Sequence, residues 1–271
     1  MKNTVNSHLA YLFLILAFGI SSVQGAPNSF HLPEHAVKVA QGIYSLGYTK
    51  HKGKIVKGYA IVHPYRNLAK PDNPGNGNGG QKKDQGGSTC FAFIGNGANW
   101  KTAESYIIDS SNAAGMSDSF VSSTINKVIN DWNTEAATTI FNQRVAGSVD
   151  GADSVAPDNK NEVYFAGIEE ENVIAVTIVW GIFGGPPSNR ELVEWDQVYD
   201  DEEFGWGDAT TNTSIMDFHN IAAHEIGHAA GMGHPDDTCT EETMFAYAET
   251  GEIKKRDLFD GDITGIKKLY K

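Results

Sequence analysis

Apolar residues along the chain fall into short β-like runs around one clear helical stripe. Between Ser119 and Ala136 the apolar positions recur every three or four residues, which predicts an amphipathic helix with one buried face. Ser117 and Asp118 lie directly before this stretch and are suitable cap residues. Five further runs predict strands: Ser105–Asp109, Thr139–Val145, Glu162–Ile168, Val173–Trp180 and Leu192–Tyr199.

Two more helices are predicted towards the end of the chain. Ser214, with Asp217 three residues later, resembles a capping box that opens a helix. Asp260 is placed to cap a last helix over residues 261–270. The chain therefore predicts, in order, a strand, a long helix, several strands, a second helix, a loop and a terminal helix.

The residues before this main part divide into three sections by composition. Residues 1–25 contain a twelve-residue apolar run from Leu9 to Ile20, which predicts a cleaved export signal, with an uncleaved anchor as the alternative. Residues 26–70 hold two β-like runs joined by a predicted hairpin turn, and they form either an inhibitory pro-segment or an integral β layer. Residues 71–89 are rich in Gly and Asn, which predicts a linker. Residues 90–271 form the main domain, and we expect a soluble, secreted mature protein.

The charge of the chain is strongly acidic. Asp and Glu number 34 against 21 Lys and Arg, which gives a formal net charge of −13. Proteins that bind nucleic acid present a basic face, so this composition argues against a nucleic-acid partner. A solvated acidic surface explains most of these carboxylates, and calcium sites are a second role for some of them.

One motif dominates the chemistry of the chain: residues 224–234 read H-E-x-x-H-x-x-G-x-x-H. Two histidines four residues apart lie on one face of a helix, so His224 and His228 can bind the same metal ion. Gly231 can adopt a positive φ, end the helix and bring in His234 as a third ligand. Three protein ligands leave the fourth position of a tetrahedral zinc open, as in a catalytic site. Glu225 is then placed to act on a water molecule without binding the metal itself.

The other chemistry-bearing residues are two cysteines and scattered histidines. In an oxidising compartment the pair Cys90 and Cys239 predicts a disulfide that closes a loop of about 150 residues. His51 and His63 are interpreted as isolated surface histidines rather than as metal ligands.

From about Trp100 to Lys271 the chain resembles the matrixin branch of the metzincin zinc peptidases. The zinc motif at residues 224–234 carries the resemblance. Thr243-Met244-Phe245, ten residues past the motif, resembles the Met-turn of that family, and residues 262–270 resemble its terminal helix. Glu194-Trp195-Asp196 resembles the strand that supplies a calcium-side carboxylate in matrixins.

The resemblance implies an α+β fold with α/β-like layers, in which two helices pack on a twisted, mostly parallel five-stranded sheet and a third helix follows the Met-turn. It also implies that Val173–Trp180 is the edge strand of this sheet and binds substrate by β-augmentation. Residues 246–254 would then form a wall of the primed-side specificity pocket.

The chain departs from the family pattern at its secondary metal sites. The histidine-rich structural zinc site of animal matrixins has no match, so one catalytic zinc is expected. A structural calcium is possible, with Asp196, Asp200 and Asp201 as candidate ligands. In astacins and serralysins a tyrosine two residues after the methionine binds zinc, whereas Tyr247 lies three after Met244. Tyr247 is therefore not expected to be a ligand.

The resemblance also offers a second role for Cys90, because matrixin pro-segments carry a cysteine that caps the zinc ion. Cys90 lies roughly where such a segment would end, but Ser88-Thr89-Cys90-Phe91 does not match the Pro-Arg-Cys-Gly-type motif. Cys239 lies only five residues past His234, which suits a disulfide that tethers the active-site loop. The disulfide is the favoured interpretation.

The sequence thus predicts a secreted zinc endopeptidase that acts on protein or peptide substrates. Zinc would be held by His224, His228 and His234, with Glu225 as the general base and Met244 below the metal. We expect a monomer without stable membrane insertion. Two alternatives are a catalytically inactive zinc-binding or adhesion module of the same fold, and a zinc hydrolase that acts on something other than peptide.

Overall fold

A computed structural model of the chain describes residues 25–66 and 89–271. Nearly all of the predicted export signal and nearly all of the predicted linker lie outside these described residues. Within the two described stretches, no helix combines the length and the apolar character that a membrane crossing would require.

The described strands extend from the N-terminal section to the last residues of the histidine motif. In chain order they are β1 (Ser29–Phe30), β2 (Val37–Ala40), β3 (Ile43–His51), β4 (Lys54–Pro64), β5 (Ala92–Phe93), β6 (Glu104–Ile108), β7 (Phe141–Arg144), β8 (Glu162–Ile168), β9 (Val173–Ile182), β10 (Glu191–Asp200), β11 (Trp206–Gly207), β12 (Met216–Asp217) and β13 (Met232–Gly233). All five runs predicted as strands in the main domain form strands, at β6 to β10.

Nine of these strands build one large mixed sheet, and the other four form two small sheets, β11 with β12 and β13 with β5. The order of the large sheet is β2-β3-β4-β9-β10-β8-β6-β7, and β1 pairs separately with β8, so the sheet has nine strands. The pairs β7–β6, β6–β8 and β8–β10 are parallel, whereas β9 is antiparallel to both of its neighbours. The expected five-stranded sheet is therefore too small, because the N-terminal section adds strands to it.

The N-terminal section corrects a second expectation. Val173–Trp180 was expected to be a sheet edge, but β9 lies between β10 and β4. Strand β4 pairs with β9 from Lys57, opposite Gly181, to Pro64, opposite Val173. A local pattern of apolar residues identifies β9 as a buried strand but gives no information about a partner more than 100 residues away in the chain.

Strand β4 is part of the hydrophobic core on both of its faces. Tyr59 and Ile61 join a cluster that includes the helices, and Ala60 and Val62 join a second cluster that contains no helix residue. Gly58 is required at its position because a Cβ there would lie 2.7 Å from the ring of Trp180. The N-terminal section therefore forms an integral layer of the described fold.

Three helices pack on one face of the sheet or against each other: α1 (Asp118–Ala136), α2 (Phe218–Ala229) and α3 (Asp260–Leu269). Helix α1 begins as predicted, because Ser117 Oγ accepts a hydrogen bond from the backbone N–H of Phe120. Its fully buried Trp132 donates from Nε1 to the carbonyl of Ala223 at 2.9 Å, which fixes α1 against α2.

Helix α2 begins later than predicted. Its N-cap is Asp217, whose carboxylate accepts from the backbone N–H of Asn220 at 2.8 Å. Arg256 also donates to the Asp217 carboxylate, from Nε at 2.8 Å. The sequence predicted Ser214 as the cap. Asp217 takes that role instead, because Arg256, which is distant in sequence, stabilises its buried carboxylate.

A disulfide joins Cys90 to Cys239. It connects the segment before β5 to the loop that follows the histidine motif, and the two cysteines are 149 residues apart in sequence. The bond therefore closes a long loop around the region of the histidines.

We expect replacement of both cysteines by serine to lower the free energy of unfolding by up to about 5 kcal/mol, since the reduced unfolded chain regains the entropy of that loop. Urea unfolding followed by circular dichroism measures the change. Ser188→Ala, at an exposed serine in a surface turn, is the matched control. Equal stability of the cysteine-free variant and the parent chain would show that the disulfide contributes nothing.

Candidate metal centre

The three histidines of the motif converge on one point. Helix α2 carries His224 and His228 one turn apart, and the chain then turns at Gly231, where φ is +100°. A Cβ at Gly231 would lie 2.6 Å from the carbonyl oxygen of Ala98, so the turn requires glycine. The Nε2 atoms of His224, His228 and His234 lie 3.0 to 3.2 Å from one another.

Backbone carbonyls orient two of these rings. His224 Nδ1 lies 2.7 Å from the carbonyl oxygen of Thr243, and His228 Nδ1 lies 2.9 Å from that of Met232. Each Nδ1 therefore carries the proton and donates it, which leaves the Nε2 lone pair directed at the shared point. Burial lowers the pKa of all three histidines, that of His228 to about 4, and so favours the neutral form that binds metal.

This arrangement fits a zinc ion. Three lone pairs that face each other repel unless a cation lies between them. Nitrogens bound to tetrahedral zinc at about 2.0–2.1 Å are about 3.3–3.4 Å apart, close to the 3.0 to 3.2 Å seen here. His224, His228 and His234 would therefore hold the metal.

Glu225 lies beside this point with both carboxylate oxygens engaged. Thr177 on β9 donates its hydroxyl to Oε2 at 2.5 Å, and His63 Nδ1 lies 2.9 Å from Oε1. The side chain is fully buried, and this burial raises the pKa of Glu225 to about 8. Glu225 thus lies next to the three ligand atoms, where the motif predicted it.

His63 is a residue of this site that the sequence interpretation missed. It was interpreted as a surface histidine, but it is fully buried, and its ring centroid lies 3.9 Å from that of His224. Burial lowers its pKa well below the usual value, so the neutral ring donates from Nδ1 to Glu225 rather than forming an ion pair. The period-two pattern of β4 could have indicated this, since Tyr59, Ile61 and His63 fall on one face of the strand.

The other nitrogen of His63 faces Lys255. The buried Lys255 Nζ lies 3.2 Å from His63 Nε2 and also donates to the carbonyl of Phe245. Burial lowers the pKa of Lys255 to about 7. His63, His224 and Glu225 also lie close enough together to hold a metal. In this second group, Lys255 already lies on Nε2 of His63, and the hydroxyl of Thr177 already donates to Oε2 of Glu225. The second group is therefore the poorer metal site.

Met244 lies beneath the histidines. It is fully buried, and a Cβ added to Gly227 of α2 would lie 2.2 Å from its Sδ atom. Asp262 at the start of α3 holds this segment in place, because its carboxylate accepts from the backbone N–H groups of Thr243 at 2.7 Å and Met244 at 3.2 Å. The carbonyl of Thr243 can therefore accept from His224.

The structure does not bring the three proposed calcium ligands together. Asp200 accepts from the backbone N–H groups of Ile168 and Glu203, and Asp201 accepts from that of Ala113. Both carboxylates thus accept hydrogen bonds from loop backbone, and neither joins the group of acidic side chains around Asp196.

Asp196 lies in a different acidic cluster, with Asp153 and Glu194. Ligand oxygens of the three residues lie within 4.8 Å of one another. Within the described residues, Glu194 Oε1 and Asp153 Oδ2 are buried without a hydrogen-bond partner. Burial, together with the neighbouring carboxylates, raises the pKa of Glu194 to about 10 and that of Asp196 well above its usual value. A cation would neutralise this cluster.

Comparisons with known proteins agree with the geometry. The model of the matrixin family matches residues 99–271. Metalloendoproteinase 2-MMP of Arabidopsis thaliana is 40% identical over 58 residues, which is 21% of this chain and 15% of that protein. Metalloendoproteinase 1 of Glycine max is 38% identical over 66 residues, 24% of this chain and 21% of that protein. Matrilysin of Homo sapiens is 36% identical over 70 residues, 26% of this chain and 25% of that protein. The similarity thus spans a quarter or less of each relative.

Proposed function

Because the chain belongs to the matrixin family, we propose that it is a zinc-dependent endopeptidase with Glu225 as its general base. The observation that carries the proposal is the convergence of three neutral histidine Nε2 atoms next to a buried glutamate. Similarity to metalloendoproteinases of Arabidopsis thaliana and Glycine max supports the same activity.

The residues of the site divide the reaction between them. When bound, zinc supplies Lewis-acid chemistry, which activates water near neutral pH and polarises a carbonyl group. Glu225 accepts the proton of the attacking water and delivers it to the nitrogen of the leaving amine. Thr177, which donates to Oε2, keeps the carboxylate in one orientation. The reaction needs no serine or cysteine nucleophile, so no acyl-enzyme forms.

Met244 has a supporting role in this proposal. Its side chain packs against Gly227 of α2, between the two helical histidines, so it forms an apolar floor that fixes the spacing of the ligands. The proposal thus gives Met244 the role that the resemblance assigned to the Met-turn. The proposal also places the mature protein outside the cytoplasm, because the Cys90–Cys239 disulfide persists only in an oxidising compartment.

Turnover of a quenched-fluorescence peptide library by the purified, zinc-loaded chain tests the activity. Inhibition by a hydroxamate, which binds zinc, separates the endopeptidase from a contaminant. If the chain bound one zinc but cleaved no peptide, the endopeptidase proposal would fail, which would leave the inactive module and the hydrolase of a non-peptide substrate.

We further propose that Asp153, Glu194 and Asp196 hold a structural calcium ion. Hard carboxylate oxygens suit calcium, and the buried, unpartnered oxygens of Asp153 and Glu194 supply a reason for the site. In this proposal Asp196 keeps the role assigned from the sequence, and Asp200 and Asp201 do not take part.

Calcium at 100 times its dissociation constant should then raise the free energy of unfolding by about 2.7 kcal/mol. The thermal midpoint, followed by circular dichroism with calcium or with EGTA, measures this effect. Glu194→Gln should abolish the calcium-dependent shift, whereas Asp236→Asn, at an exposed aspartate, should leave it intact. An identical midpoint in calcium and in EGTA would rule out the site.

A further inference from the structure

We propose that Gln197 is a positioning residue for the reaction and acts on Glu225 through Thr177. The amide of Gln197 holds the hydroxyl of Thr177 in the orientation that donates to the carboxylate. This inference rests on the proposed function, because it concerns the residue that we assign as the general base. It adds a requirement from the central strands of the sheet to a motif that lies on α2.

Two polar side chains interrupt the apolar face that β9 and β10 turn towards the helices. They are Thr177 on β9 and Gln197 on β10, and both are fully buried. The four residues that flank them on this face belong to the hydrophobic cluster that includes the helices: Ala175, Val179, Trp195 and Tyr199. An apolar side chain at either position would avoid the cost of burying a polar group. The two polar residues therefore call for a reason other than packing.

Thr177 and Gln197 lie directly opposite each other. They form one pair of the antiparallel ladder between β9 and β10. Side chains of such a pair lie on the same face of the sheet, with Cβ atoms about 4.5–5.5 Å apart. The amide of Gln197 can therefore approach the hydroxyl of Thr177 by rotation of its own side chain. Thr177 in turn donates to Glu225 Oε2 at 2.5 Å, so the three residues form a continuous row from β10 to α2.

The two ends of the Gln197 amide have different surroundings. Its Oε1 accepts from the hydroxyl of Tyr199 at 3.0 Å. Burial, together with the charge of Glu225, raises the pKa of Tyr199 well above its usual value, so this hydroxyl keeps its proton and donates. Among the described residues, Gln197 Nε2 is buried without a hydrogen-bond partner. A role limited to satisfying Tyr199 would need only the oxygen, so the nitrogen remains for another acceptor.

The hydroxyl of Thr177 is suited to be that acceptor. A threonine hydroxyl has one proton and two lone pairs, and the proton of Thr177 is directed at Glu225. An N–H group of Gln197 on a lone pair keeps the hydroxyl in this orientation. Hydrogen bonds in a chain polarise and strengthen one another. The carboxylate of Glu225 is thus held in one position before the attacking water arrives, which is how preorganisation lowers a barrier.

Removal of the amide separates a positioning role from a structural one. Gln197→Leu with Tyr199→Phe replaces the buried polar pair by apolar residues, so the free energy of unfolding should stay the same or rise. In the zinc-loaded chain this double variant should lower kcat for a peptide about tenfold without a change in KM, since no group that binds substrate is altered. Urea unfolding and peptide turnover measure the two effects. Lower stability with an unchanged kcat would show a structural role and overturn the inference.

Variants of Thr177 test whether Gln197 acts through this residue. Thr177→Val should lower kcat at least tenfold, and Thr177→Ser, which keeps the hydroxyl, should retain most of the parent activity. In the Thr177→Val background, Gln197→Leu with Tyr199→Phe should cause no further loss, because the connection is already broken. Thr124→Val, at a buried threonine of α1, is the matched control and should keep the parent activity. A further tenfold loss in the Thr177→Val background would contradict the inference.

A second readout does not depend on catalysis. Gln197→Leu with Tyr199→Phe should change the free energy of unfolding by different amounts in the parent chain and in the Glu225→Gln variant, because the amide acts on the carboxylate. With Thr177→Val added to both, the two amounts should become equal. Equal amounts while Thr177 is present would overturn the inference. If the parent chain cleaved no peptide but the amounts differed as expected, the positioning of Glu225 would stand and the endopeptidase assignment would fail.

Discussion

Glu225→Gln is expected to lower kcat for peptide cleavage by about 10²- to 10⁴-fold, while the chain still binds one zinc ion. Glutamine keeps the shape of the side chain and can still accept from the hydroxyl of Thr177, so the fold is preserved. It cannot accept the proton of the attacking water, which is the role that we assign to Glu225. Cleavage of a quenched peptide measures kcat, and atomic absorption measures the zinc content.

Glu169→Gln is the matched control, because this glutamate is exposed. Both variants are compared with the parent chain at equal zinc content. A Glu225→Gln variant that retained more than a tenth of the activity of the parent chain would exclude this residue as the general base.

Zinc removal is the second change with a large expected effect. Chelation should reduce peptide cleavage to background, and added zinc should restore it. The sheet should stay folded, because the ligands lie on α2 and the loop after it, and neither of the two hydrophobic clusters contains any of the three histidines. Cleavage activity and the far-ultraviolet circular dichroism spectrum, recorded on the same sample, measure the two effects.

Two outcomes would contradict this prediction. Activity that survived complete removal of zinc would show that the metal is not catalytic. Loss of the strand signal together with zinc would show that the three histidines hold a structural metal on which the fold depends.

Local sequence patterns predicted the elements of the main domain well. The apolar residues that recur along α1 are buried on one face of that helix. The β-branched run of β9 forms a buried strand. The spacing of the zinc motif specified the convergence of the histidines, because helix geometry and the turn at Gly231 depend only on neighbouring residues.

The contacts that the sequence did not predict are all long-range. The pairing of β4 with β9 joins two strands more than 100 residues apart, and the contact between His63 and Glu225 follows from that pairing. Asp217 replaces Ser214 as the cap of α2, in a place where Arg256 also reaches it. Periodicity assigns a residue to a face of its own element, but it does not identify the element that packs against that face.

The calcium candidates show the same limit. The sequence offered Asp200 and Asp201 as candidate ligands beside Asp196. In the structure, Asp153 from the loop before β8 joins Asp196 instead, and Glu194 lies on the same face of β10 as Asp196, two residues before it. The sequence alone could not place Asp153 beside Asp196, because only the fold brings its loop to β10.

The position of zinc in a crystal of the metal-loaded chain, located by anomalous diffraction at the zinc edge, tests the central claim most directly. We expect one peak at about 2.0–2.1 Å from the Nε2 atoms of His224, His228 and His234, with Glu225 outside the ligand sphere. A peak bound instead by His63, His224 and Glu225 would contradict the account, since the proposed general base would then be a ligand.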